Sequence, residues 1–115
     1  MIEFEIGGKV RKFSFGLEVL GWIQAEAGID LTNLNEGTSD TSLYFILIKP
    51  LILLGNKREV EKEGKRIDYT YDDVEQWLLD KGIYHEDVVG LWNKFNETTA
   101  SYLPKQEVKK GAKKK

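Results

Sequence analysis

The sequence predicts an α+β fold, an N-terminal β-hairpin packed on a bundle of about four α-helices and mainly helical. Three observations lead there. Residues 2–6 alternate apolar and acidic side chains, the period of a half-buried strand. Later stretches carry apolar residues at helical spacing, bounded by capping and stop residues. A chain of 115 residues leaves room for one core.

Gly7-Gly8 follows the first strand and accepts the positive φ angles of a two-residue turn. Residues 9–15 read as the return strand, with Glu3 opposite Lys12 and Ile2 opposite Phe13. A two-stranded ribbon is marginal alone, so its apolar face must lie on helices. Ser14 is the expected cap of a helix over 16–27. Its inward residues would be Leu17, Leu20, Ile23 and Ala27, with Val19 and Trp22 widening the face and Gly28 as the left-handed stop. Residues 28–39, rich in Gly, Asn, Thr and Ser, read as a loop with a short turn at 31–34.

Asp40 offers a cap for the next helix, and residues 43–54 are apolar except for Lys49 and Pro50. That stretch falls short of the ~20 residues that span a bilayer. It reads as a buried central helix, kinked or split by Pro50 near Leu47. Residues 55–68 are highly charged and read as an exposed loop; a small hairpin turning at Glu63-Gly64 and a helical extension are the alternatives. Thr70-Tyr-Asp-Asp73 has the shape of a capping box, opening a helix that buries Val74, Trp77 and Leu78 and stops at Gly82. A last helix over 85–102 repeats apolar side chains at Val88, Leu91, Trp92, Phe95 and Tyr102, and Pro104 ends it.

Charge divides the chain. Residues 105–115 hold six lysines and one acid, net +5, while the other 104 residues hold 11 bases and 18 acids, net −7. The expected domain is therefore 1–104, followed by a disordered basic tail over 105–115. An acidic body opposes nucleic acid, whose affinity rests on neutralising phosphates, and the tail has no aromatic to stack on a base.

Chemistry is narrowed further by what the composition lacks. With no cysteine there is no disulfide, thiolate nucleophile or sulfur-ligated zinc site, and His85 is the only histidine. No basic-then-apolar N-terminal stretch resembles a secretory signal. Asp72, Asp73, Glu75 and Asp80, and Glu86-Asp87, fall in or near the first turns of helices, where acids answer unpaired amides. His85 sits just ahead of a helix start, a capping or surface position. No phosphate-binding glycine motif occurs. The expectation is no enzyme, no cofactor, no metal, no nucleic acid and no membrane span.

The order of features resembles a family. A strand pair ends in Phe13-Ser14-Phe15-Gly16, and an amphipathic helix over 17–28 leads into Ile29-Asp30-Leu31. A central apolar helix and the capped segment Tyr71-Asp-Asp-Val-Glu-Gln-Trp77 follow. Together these are similar to the small tail assembly chaperones of long-tailed bacteriophages over most of residues 1–103. The resemblance implies a non-enzymatic protein of the bacterial host cytoplasm, absent from the mature virion. It would bind the helical tape measure protein and keep it soluble until tail tube protein polymerises around it. It also implies self-association, and a longer frameshifted product if adenine runs encode lysines 109–110 and 113–115.

The partner surface is expected on the central helix and the face of the first, at Trp22, Tyr44, Ile48, Leu51 and Leu54, because an all-round apolar helix must be buried somewhere. A homo-oligomer in isolation follows. Two other classes remain: a head–tail connector or tail-terminator subunit that stays in the particle, and a small nucleic-acid-binding regulator using the lysine tail.

Overall fold

The computed structural model describes residues 1–28 and 40–102. Strands β1 (Ile2–Ile6) and β2 (Lys9–Phe13) form an antiparallel hairpin, followed by helices α1 (Leu17–Ala27), α2 (Asp40–Lys62), α3 (Tyr71–Lys81) and α4 (Glu86–Tyr102). This is the α+β arrangement expected. The anticipated turn at 31–34, Pro104 and the basic tail lie outside the described residues, as do the side chains of Ala27 and Tyr102.

Register in the hairpin pairs Ile2 with Phe13 and Glu3 with Lys12, as the sequence predicts. Gly7 and Gly8 take φ of 66° and 87° in the turn. Gly7 is doubly constrained, since a Cβ there would overlap the Trp77 ring packed against it. β2 ends at Phe13 rather than Phe15. Beyond it the Ser14 amide donates to the Gly55 carbonyl at 3.2 Å, so the chain leaves the sheet by docking on α2.

α2 runs through the centre of the molecule. Leu47, Ile48, Leu51, Ile52 and Leu54 are fully buried, and they meet Phe4, Ile6 and Phe13 from the hairpin, Val19 and Ile23 from α1, Val74 from α3, and Val88, Leu91 and Phe95 from α4 in one core. Gly55 permits the tightest approach: a Cβ there would stand 2.9 Å from Phe15 Cε1. Phe15 in turn packs edge-on to Phe95, with ring centroids 5.5 Å apart.

Four expectations are corrected. The helix is not split at Pro50. The carbonyl that the proline leaves without a donor belongs to Ile46, a half-exposed residue, where water can serve it. Residues 55–62 are helix rather than loop, and the loop begins at the Glu63-Gly64 turn. Tertiary bonds hold this charged end: buried Asn56 donates to the Lys12 carbonyl at 2.8 Å and accepts from the Tyr69 hydroxyl at 2.6 Å.

Ser14 does not cap α1. Gly16 occupies the cap position without a side-chain bond, and the Ser14 hydroxyl donates to Glu59 and accepts from Arg58 Nη1 at 2.6 Å. Leu17, expected inward, is 65% exposed. Val19, Leu20 and Ile23 share one face, and Leu17 lies about a third of a turn off it. At α3 and α4 the expected local chemistry holds, while the side chain of Asp40, the expected cap of α2, lies outside the described residues. The Asp73 carboxylate accepts the Thr70 amide at 2.9 Å in a capping box, and His85 Nδ1 accepts the Asp87 amide at 3.0 Å ahead of α4.

Candidate protein-docking groove

α2 carries more apolar side chains than its neighbours cover. Phe45 and Ile46 are adjacent, so they point in directions about 100° apart, and neither joins the buried set of Leu43, Tyr44, Leu47 and Ile48. They are 53% and 49% exposed. On α3 the inward stripe is Val74 and Leu78, which leaves Leu79 69% exposed. After α3 stops at Gly82, Ile83 and Tyr84 continue the apolar surface, Tyr84 being 59% exposed.

Of these, Phe45, Leu78, Leu79 and Ile83 line one groove with Ile48, and Tyr84 stands beside it against Phe45. Its volume is ≈ 450 Å³, with Phe45 and Ile48 from α2 on one side, Leu78 and Leu79 from α3 on the other, and Ile83 at the end. Ile48 is buried at its floor. Lys49 Nζ reaches Glu75 Oε1 at 2.9 Å, joining the two walls by an exposed ion pair. Such a pair adds at most about 1 kcal/mol, because water screens both partners.

The end wall is held firmly. The Tyr44 hydroxyl donates to the Ile83 carbonyl, and its ring stacks on Tyr84 with centroids 5.2 Å apart and planes 10° from parallel. Phe45 stands edge-on to both rings, and Trp92 backs Tyr44 from α4 at 5.3 Å. Burial pushes the Tyr44 hydroxyl above its ordinary pKa, so the donor keeps its proton. The result is a preformed apolar surface with one ion pair, a shape suited to apolar side chains of another helix.

Of the five residues expected to face a partner, Tyr44, Ile48, Leu51 and Leu54 are core. The hairpin, α3 and α4 cover the sides on which they lie, so the free surface of α2 is that of Phe45 and Ile46. Trp22 is half-buried on α1 with Lys57 Nζ 4.6 Å above its ring, away from the residues bordering the groove. Phe45, Ile46, Leu79, Ile83 and Tyr84 were missed. On α3 a signal was available: Leu79 falls about 100° from Leu78 on a short helix whose stripe is Val74 and Leu78; on α2 adjacency gives none, since Leu47-Ile48 and Leu51-Ile52 are buried together.

The acidic clusters have local partners. Asp73 is in the capping box, Glu75 pairs with Lys49, Asp80 accepts from Gln76 at 3.1 Å, and Asp87 pairs with Lys81 at 3.1 Å. Among the described residues no group of three His, Asp or Glu side chains could hold a metal ion, and no helix is long and apolar enough to cross a membrane. Elsewhere, Arg58 Nε donates to Glu18 at 2.9 Å and Lys62 pairs with Glu59 at 3.1 Å. Glu18 is held below the usual carboxylate range by its backbone hydrogen bond and then by Arg58. Glu59 is held below it chiefly by the Ser14 hydroxyl. Compared with known proteins, the chain matches no family model, no curated protein and no solved structure.

Proposed function

We propose that this protein is a non-enzymatic tail assembly chaperone of the long-tailed bacteriophage type. It lays an amphipathic helix of the tape measure protein into the groove between α2 and α3, and keeps that protein soluble in the host cytoplasm until tail tube protein polymerises around it. The observation that carries the reading is the groove itself, walled by Phe45 and Leu79, both more than half exposed, with the exposed Tyr84 packed edge-on to Phe45. Burying a side chain of this size is worth ~1.5–3 kcal/mol, so an apolar helix gains several such terms at once. The phage assignment itself rests on the resemblance in the order of strand pair, amphipathic helix, apolar helix and capped helix. Two copies meeting through the same face would shield it when no tape measure is present, so a homo-oligomer that gives way to the client belongs to the proposal.

Co-expression with the tape measure protein tests it. Phe45→Asp with Leu79→Asp changes only outward side chains, so circular dichroism should report a native fold. The tape measure should then move from the soluble to the insoluble fraction. A folded double variant that holds the tape measure in solution at wild-type levels sinks the groove assignment. Mass spectrometry of purified virions separates the chaperone, absent from the particle, from a connector or tail-terminator subunit, present in fixed copy number.

A further inference from the structure

We propose that the outer edge of β2, where it faces a cleft of ≈ 290 Å³ walled by residues 65–69, receives an acidic extended peptide of a partner protein as a third strand. This site is separate from the α2–α3 groove and rests on no part of the reading above.

In a hairpin closed by a two-residue turn, the Ile6–Lys9 pair is hydrogen-bonded and the pairing alternates from there. The backbone groups of Val10, Lys12 and Ser14 therefore point away from β1. Two of these outward groups are taken, the Lys12 carbonyl by Asn56 and the Ser14 amide by Gly55. The N–H and C=O of Val10 and the N–H of Lys12 have no hydrogen-bond partner among the described residues, and Val10 is 60% exposed. An unpaired strand edge is a template for another strand. Across the cleft, residues 65–69 have no regular secondary structure and form a second wall. Main-chain bonds to such an edge supply affinity, and the rim supplies selectivity.

The rim selects for acid. Lys9, Lys12, Lys65 and Arg66 are exposed, line the cleft and form no ion pair among the described residues. They are four of the 11 bases in a 104-residue body whose net charge is −7. Of the three acids that line the cleft, Glu59 is buried and paired with Lys62, and Glu63 and Asp68 leave an excess of cations without making the surface uniformly basic. That mixture disfavours a polyanion such as nucleic acid, whose every repeat is negative and whose backbone offers acceptors only. A peptide backbone both donates and accepts, as the Val10 edge requires. The cleft's aromatic ring, Tyr69, is already occupied: the Arg11 guanidinium lies 5.0 Å from its centroid.

The test uses fluorescein-labelled Glu-Val-Glu-Val-Glu, the same peptide with Lys in place of Glu, the acidic peptide with alternate amides N-methylated, and a labelled oligothymidine. Polarisation should show the acidic peptide binding at least tenfold tighter than each of the other three. Lys65→Glu with Arg66→Glu, both exposed and so compatible with folding, should weaken it at least tenfold. Amide exchange at Val10 and Lys12 should slow at least tenfold when the acidic peptide is bound. No preference for the acidic peptide over its charge-inverted form, or unchanged exchange at those two amides, overturns the proposal. Oligothymidine binding as tightly as the peptide overturns it too, in favour of a charge-only polyanion site.

Discussion

Over residues 43–54, α2 is held by apolar contact, whereas over 56–62 the same helix is held by directional bonds from Asn56, Arg58 and Glu59. Phe45 stands three turns before Asn56 and therefore on nearly the same side of the helix. At Asn56 that side is closed by β2 and Tyr69; at Phe45 it is half open. The reason is length. A helix of 23 residues runs about 35 Å. A strand of five residues covers about 17 Å. The polar end sets the rotation of α2 and the short hairpin covers only part of it, so the apolar end leaves Phe45 and Ile46 about half exposed.

The largest effect should come from placing charge in the apolar half. Ile48→Asp buries an unpaired carboxylate at the floor of the groove and should cost more than ~4 kcal/mol, leaving the chain unfolded by circular dichroism at 25 °C. A folded Ile48→Asp would mean that this half is looser than its burial implies. In the polar half, Asn56→Ala removes two hydrogen bonds and strands the Lys12 carbonyl and the Tyr69 hydroxyl. A loss of about 2–3 kcal/mol in urea denaturation is expected; a loss below ~1 kcal/mol would show that the polar end does not set the helix rotation.

Acid distinguishes the halves more gently. Glu18 and Glu59 are both held below the ordinary carboxyl value of 4.5, so the folded chain binds fewer protons than the unfolded chain at mildly acid pH. Their contribution is complete above the unfolded pKa and is lost as pH falls through the folded one. The urea midpoint should therefore decline below about pH 4.5. Glu59→Gln should flatten part of that decline, and an unchanged profile would remove Glu59 from the account. Smallest of all, Leu79→Ser should shift stability by no more than ~0.5 kcal/mol, since the side chain is exposed. Under the proposed function its effect falls on tape measure solubility, and a large stability loss would mean that Leu79 is structural.

The same contrast explains what was legible beforehand. The hairpin register could be read because Gly7-Gly8 and the Glu3–Lys12 pair constrain it locally. The α3 cap could be read for the same reason, since Thr70 and Asp73 satisfy each other within one turn. The extension of α2 over 55–62 could not, because charged residues are equally at home in a loop. What makes this segment helical is a set of partners more than 40 residues away at Lys12 and Ser14. Which side of α2 is free could not be read either: of the residues expected there, Ile48 lines the groove, while Leu51 and Leu54 are covered. A stretch apolar in all directions has no periodicity to separate inside from outside, and the covering elements decide it. Leu17 fails differently: its own helix carries a consistent stripe at Val19, Leu20 and Ile23, and Leu17 does not belong to it.

Trp77 closes over the Gly7 turn, its ring 4.2 Å from the Arg11 guanidinium, and Lys81 Nζ lies 5.5 Å from the Phe4 ring centroid. The hairpin thus leaves a ribosome some 70 residues ahead of the helix that roofs it. A hairpin forms in microseconds, but synthesis at ~5–20 residues per second leaves its apolar face incompletely covered for several seconds until α3 is free of the exit tunnel. Phe4, Ile6 and Phe13 form a sticky surface on the nascent chain until α2 packs on them, and α3 then closes over the turn. In its own synthesis the molecule passes through an interval of uncovered apolar surface, the same hazard it is proposed to spare its client.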